Sequence, residues 1–175
     1  INDSSSKAMA LGDTHHGKHA LVFGASGVTG WAILNNAVSY PTPTTFERVI
    51  GLTNRPLSIA DTHLPQDSRL QLYSGVDLSN KGSVISKLQE IPDIAKVTHV
   101  YFAAYTAHGS DFQELKRANI EILKNAVEIL EKLCPNMQFF TLQTGGKVTP
   151  PSQPVYPLAP SSLLRRKKKV KANLT

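Results

Sequence analysis

Three glycines recur at every third position in Gly24-Ala25-Ser26-Gly27-Val28-Thr29-Gly30, directly after the apolar run Ala20-Leu21-Val22-Phe23. A short buried strand that breaks into such a turn and then opens a helix builds a phosphate site. Gly24 allows the sharp turn, Gly27 leaves room for a pyrophosphate to approach the backbone, and Gly30 lets the helix pack against the strand. The helix then directs its free N–H groups and the positive end of its dipole at the anion. The chemistry expected of this motif is dinucleotide binding.

Four further clusters follow apolar segments. Thr53-Asn54-Arg55-Pro56 follows Arg48–Leu52. An acidic residue here would bind a ribose 2′-hydroxyl, but this chain carries Arg55, whose planar guanidinium suits a 2′-phosphate. That points to NADP(H), against the alternative of a solvated arginine. Gly75-Val76-Asp77-Leu78 follows Leu70–Tyr73. Asp77 could accept a hydrogen bond from an adenine amino group with Leu78 against the ring, or could cap the next helix, and the two are compatible. Ala103-Ala104-Tyr105-Thr106-Ala107 offers small residues over which a cofactor could lie, with Tyr105 towards its nicotinamide half and His108 read as a solvated loop residue. Gln143-Thr144-Gly145-Gly146-Lys147 closes the series. Lys147 could bond the nicotinamide ribose and lower the pKa of a neighbouring acid; its alternative is a surface lysine in a glycine turn.

The elements that must hold these clusters alternate along the chain. Strands are expected at Ala20–Phe23, Arg48–Leu52, Leu70–Tyr73, Thr98–Ala103 and Gln138–Leu142. Helices are expected over Val28–Ser39, stopped by Tyr40-Pro41-Thr42-Pro43, and from Ser79 or Asn80 to Glu90. The strongest helix signal is Asp111–Leu133, where Leu115, Ala118, Ile122, Ala126, Ile129, Leu130 and Leu133 share a face. Strands separated by helices predict an α/β doubly wound parallel sheet, a Rossmann fold of about five strands in the order 3-2-1-4-5, with its ligand crevice at the strand carboxyl ends.

Composition narrows the class. The 175 residues suit one domain, and the hydrophobic and charged shares of 41% and 18% are ordinary for a globular protein. The net charge of +6 belongs to one stretch: six of the 19 Lys and Arg lie at Arg165, Arg166, Lys167, Lys168, Lys169 and Lys171, and the remaining 13 match the 13 Asp and Glu. That run has no interleaved aromatics, so no nucleic-acid partner is expected. The single cysteine, Cys134, reads as a small buried apolar residue in a reducing compartment. His15, His16 and His19 read as a solvated leader rather than a metal site. No apolar run reaches the length of a membrane span and the N-terminus lacks signal-peptide order, so a cytoplasmic protein without a membrane partner is expected. The expected organisation is a disordered leader over 1–17, an NADP-binding Rossmann domain over 18–147, and a proline-rich then basic irregular tail over 148–175.

Taken together, GASGVTG, TNRP, VDL, THVYFAAYT, the Asn119–Asn125 helix segment, CPN and LQTGGK resemble the progesterone 5β-reductase/iridoid synthase-like (PRISE-like) group of atypical extended short-chain dehydrogenases, in its microbial or fungal style. The resemblance covers residues 18–147. It implies NADPH-dependent reduction of an enone C=C bond or of a carbonyl in a small-molecule substrate. In that chemistry hydride passes to the β-carbon, and a tyrosine hydroxyl supported by the motif lysine holds the developing enolate. Carried over, the cofactor positions are Gly24, Ser26, Gly27, Val28, Thr29, Gly30, Asn54, Arg55, Asp77, Leu78, Ala104 and Gln143, and Lys147 matches the catalytic lysine.

The sequence departs from the group after Lys147, which is followed by Val148-Thr149-Pro150-Pro151 instead of His-Tyr and glycine. The group's catalytic tyrosine lies well beyond its lysine, and Tyr156, set between prolines, is not assigned that role. The ending reads as truncated, frameshifted or differently spliced. Loss of an oxyanion-stabilising acid costs several kcal/mol of barrier lowering. The alternatives to a reductase are therefore a redox-inactive nucleotide-binding module (sensor, partner subunit, or cyclase or isomerase) and a non-functional truncation product. An uncovered edge at the fifth strand could drive self-association.

Overall fold

Ala20, Leu21, Val22 and Phe23 are each no more than 1% exposed, as the centre of a sheet covered on both faces requires. They form the core of β1 (Lys18–Phe23), the middle strand of the fold. The chain is described here from a computed structural model over residues 17–107 and 111–144. After β1 come α1 (Val28–Ala37), β2 (Phe46–Leu52), β3 (Leu70–Tyr73), α2 (Lys81–Gln89), β4 (Val97–Phe102), α3 (Phe112–Leu133) and β5 (Phe139–Leu142). All pairings are parallel, in the order β3-β2-β1-β4-β5. The expected doubly wound α/β order is therefore present. The chain steps outward from β1 to β2 and β3, then returns past β1 to β4, so winding reverses between β1 and β4. In open α/β sheets that reversal opens a crevice at the carboxyl ends of the strands.

Alternation along β1 splits the core in two. Leu21 and Phe23 pack with Val84 and Leu88 of α2 and Ile122, Ala126, Ile129 and Leu130 of α3. Ala20 and Val22 pack with Leu34 and Ala37 of α1. The helical face read from the sequence of α3 is thus the one that is buried. Asp111 caps this helix, its carboxylate accepting from the N–H groups of Gln113 (2.7 Å) and Glu114 (2.9 Å).

Two sequence expectations, the cap offered to Asp77 and the place of His19, need correction. No helix is expected from the sequence between β2 and β3, and no α-helix joins them among the described residues; a 3-10 turn, Ile59–Asp61, does so. Pro56 and Pro65 bracket that segment, and Leu64 anchors it in the α1-side core. Asn80, one of the two helix starts expected from the sequence, caps α2, accepting from the Ser83 N–H at 3.1 Å; the capping role offered as an alternative for Asp77 does not hold, since its carboxylate turns onto Ser79. His19 belongs to no solvated leader: it is paired into β1 and 6% exposed. Strand edges also shift, β1 and β2 each starting two residues before the expected position.

Candidate active site: the carboxyl edge of the sheet

The five strands end level. Phe23 pairs with both Leu52 and Phe102, Leu52 with Tyr73, and Phe102 with Leu142. The ladder runs one residue further, with Gly24 N bonding Leu52 O (3.1 Å), Thr53 N bonding Tyr73 O (3.0 Å), Ala103 N bonding Phe23 O (3.0 Å) and Gln143 N bonding Phe102 O (2.9 Å). The loops singled out in the sequence therefore leave the sheet along one edge, at one height.

The glycine loop sits at the centre of that edge. Gly24 has φ +82°, a left-handed conformation that favours glycine, and a Cβ on it would lie 2.7 Å from Ala104 N. A Cβ on Gly30 would lie 2.1 Å from Gly24 O, so only glycine lets α1 press onto the turn. Over Gly27 the space is open: a Cβ there would meet, within 4 Å, only Gly24 O at 3.4 Å. The first intrahelical bond runs from Trp31 N to Gly27 O at 2.8 Å. The N–H groups of Val28, Thr29 and Gly30 precede it and have no acceptor within the helix. No side chain caps this end and no acidic residue stands in its first turn. Ser26, Gly27, Val28 and Thr29 are all exposed. An uncapped, open helix start against a glycine turn fits a bound pyrophosphate.

Asn54 and Arg55 stand exposed beside this turn. Asn54 O accepts from Gly75 N at 3.2 Å, and Val76 N bonds Thr53 O at 3.1 Å, so the loops after β2 and β3 are laced together. The Arg55 guanidinium makes no hydrogen bond or ion pair among the described residues. Asp77 and Leu78 are half-buried on the next loop, where Asn125 of α3 donates to Leu78 O at 3.0 Å.

Beyond β4, Ala104 closes against Gly24, and Tyr105 is 54% exposed. Asn119 of α3 holds this loop, accepting from Thr106 N (3.0 Å) and donating to Thr106 O (2.9 Å). The supporting roles of Asn119 and Asn125 were not read from the sequence. Their signal was two amides, six residues apart, beside the buried positions Ile122 and Ala126 of an amphipathic helix. Gln143 is exposed at the end of β5. Lys147, Tyr156, His108, His15, His16, residues 1–16 of the expected leader and the whole of the expected tail over 148–175 lie outside the described residues.

Burial sets the remaining acid–base chemistry. It pushes the Cys134 thiol up to about 12, so this side chain packs as an apolar residue. It lowers the pKa of both His19 and His99. Among the described residues no group of His, Cys, Asp and Glu could hold a metal ion, and no helix is long and apolar enough to cross a membrane.

Comparison with known proteins gives three findings. A family model described as a PRISE-like Rossmann-fold domain matches residues 20–151. "Short chain dehydrogenase ausT" of Aspergillus calidoustus is 52% identical over 134 residues, which are 73% of this chain and 32% of that protein. "Short chain dehydrogenase sirQ" of Leptosphaeria maculans is 45% identical over 130 residues, 73% of this chain and 33% of that protein. The chain thus spans about a third of the length of these relatives. Among solved structures, the Bordetella bronchiseptica enzyme WbmG in complex with NAD shares the fold with a TM-score of 0.51 at 17% identity, over 74% of this chain and 38% of that one.

Proposed function

The chain belongs to the PRISE-like Rossmann-fold family, and on that premise we propose that it is the NADP(H)-binding part of a short-chain dehydrogenase/reductase. The observation that carries this reading is the open, uncapped start of α1 over Gly27, at the sheet edge where β2 ends level with β1 and leads into Arg55, whose guanidinium has no hydrogen-bond or ion-pair partner among the described residues. Backbone N–H groups of the Gly24–Gly30 turn, with Ser26 and Thr29, would hold the pyrophosphate. Arg55, beside Asn54, would meet the 2′-phosphate. Asp77 and Leu78 would take the adenine, and Ala104 and Gln143 would floor the nicotinamide half.

The bound coenzyme supplies a hydride at its nicotinamide ring. The role proposed for Lys147 rests on the LQTGGK motif alone: it bonds the nicotinamide ribose and, by its charge, favours the anionic form of a neighbouring acid. The substrate class proposed from the family is a small enone or carbonyl compound. A cytoplasmic setting and self-association through the outer edge of β5 are proposed with it, the first on the lone buried cysteine and the second on a strand edge with no partner among the described residues.

Calorimetric titration of the wild type and Arg55→Ala with NADPH and NADH tests the coenzyme assignment. A charge-assisted contact to phosphate contributes about 1.5–3 kcal/mol. Arg55→Ala should therefore weaken NADPH about tenfold or more and leave NADH nearly unchanged. Tighter binding of NADH by the wild type, or equal losses for both coenzymes in the variant, would overturn it.

A further inference from the structure

The exposed Arg55 guanidinium makes no hydrogen bond or ion pair among the described residues, yet the backbone segment that carries it is fixed at several points. Thr53 Oγ1 donates to Arg55 O at 3.2 Å. Two residues beyond the arginine, Leu57 N donates to Ser74 Oγ at 3.0 Å. Further on, the Trp31 indole Nε1 donates to Thr62 O at 2.7 Å, and the Thr62 hydroxyl turns back to Ile59 O at 2.8 Å. Leu64, 4% exposed, then drops into the core beneath α1.

The origin of two of these pins matters. Ser74 stands immediately before Gly75-Val76-Asp77-Leu78, the loop assigned to adenine. Trp31 lies in the opening turns of α1, directly after the glycine turn assigned to pyrophosphate. Each ties the arginine's segment to a different part of the same site. A long, flexible cation on a free loop loses much of its binding advantage to ordering, whereas one on a fixed backbone does not.

We propose that Ser74 and Trp31 are positioning residues for 2′-phosphate selectivity, holding the Arg55 segment at a set height over the adenine and pyrophosphate loops. The inference rests on the assignment of Arg55 to the 2′-phosphate and goes beyond it in naming what makes that arginine selective. NADPH and NADH differ only in this phosphate. A merely structural role for either residue would weaken both coenzymes alike; a positioning role weakens one.

The test is calorimetric titration with NADPH and NADH of the wild type, Ser74→Ala, Ser74→Thr, Trp31→Phe, Arg55→Ala and the double variant Ser74→Ala/Arg55→Ala. Loss of a single pinning hydrogen bond should weaken NADPH about three- to tenfold in Ser74→Ala and Trp31→Phe, with NADH changed less than about twofold. Ser74→Thr, which keeps the hydroxyl, should retain selectivity. In the Arg55→Ala background, Ser74→Ala should have no further effect on the ratio of the two affinities. Equal weakening of both coenzymes, or no change in either, would overturn the proposal while Arg55→Ala still abolished selectivity. Selectivity unaffected by Arg55→Ala would instead overturn the assignment of Arg55, and the proposal with it. Trp31 is the chain's single tryptophan, so its emission separately reports whether each variant other than Trp31→Phe keeps the native fold.

Discussion

A Cβ on Gly30 would lie 2.1 Å from the carbonyl oxygen of Gly24. Helix α1 therefore meets the end of β1 with no room for a side chain, and its first N–H groups are brought directly onto the turn. Gly30→Ala must push the helix off the sheet, at a cost of about 1–3 kcal/mol by the usual scale of overpacking. Thermal unfolding should show a lowered midpoint and coenzyme titration a weakened site. Wild-type values in both would show that the contact yields without consequence.

Asn119 exchanges two hydrogen bonds with the backbone of Thr106 and so shapes the loop after β4. Asn119→Ala loses both, for about 1–3 kcal/mol at a partly buried site. Native-state hydrogen exchange should accelerate at the Thr106 amide far more than at the β1 amides, since the helix's buried face is untouched. Unchanged exchange at Thr106 would contradict this.

His19 and His99 titrate below the ordinary histidine value of 6.5, burial being the main cause in each. Both bind a proton more weakly in the folded chain than in the unfolded one. As pH falls through 6.5 the unfolded state takes up more protons, so stability is full above that value and declines below it. Urea midpoints should be flat from pH 8 to 7 and drop towards pH 5.5. The drop should be shallower in His99→Phe, whose ring would stay between Phe46 and Phe139. A midpoint that rises on acidification would be inconsistent with buried neutral imidazoles.

Cys134 is 2% exposed with its thiol pushed up to about 12. As the only cysteine, it should give no thiol labelling in the native protein at pH 8 and one equivalent after denaturation. Rapid native labelling would place the end of α3 away from the sheet.

Much of the architecture was legible because the signals were local and redundant. The apolar run Ala20–Phe23 before a glycine turn, and the single face of α3, each depend on neighbours in the chain. Tertiary choices were less legible. Asp77 and Asn80 are both good capping residues three positions apart, and only the register of α2 against the core decides for Asn80. His19 looked like part of a polar leader, yet β1 pairs on both sides and takes it into the sheet. The β2–β3 segment has room for no more than a short helix between Pro56 and Pro65, and its anchors Trp31 and Ser74 lie outside it in sequence. Asn119 and Asn125 entered the sequence reading only as the ends of a segment carrying the family resemblance, and their roles depend on loops distant in the chain, after β4 and β3.

The most direct test of the coenzyme site is a titration of the isotopically labelled chain with NADPH and NADH, followed by amide and arginine side-chain resonances. Both coenzymes should move the amides of Gly27, Val28, Thr29 and Gly30, and only NADPH should move the Arg55 guanidinium. Perturbations that avoid the glycine turn, or an Arg55 response identical for the two coenzymes, would contradict the site as drawn.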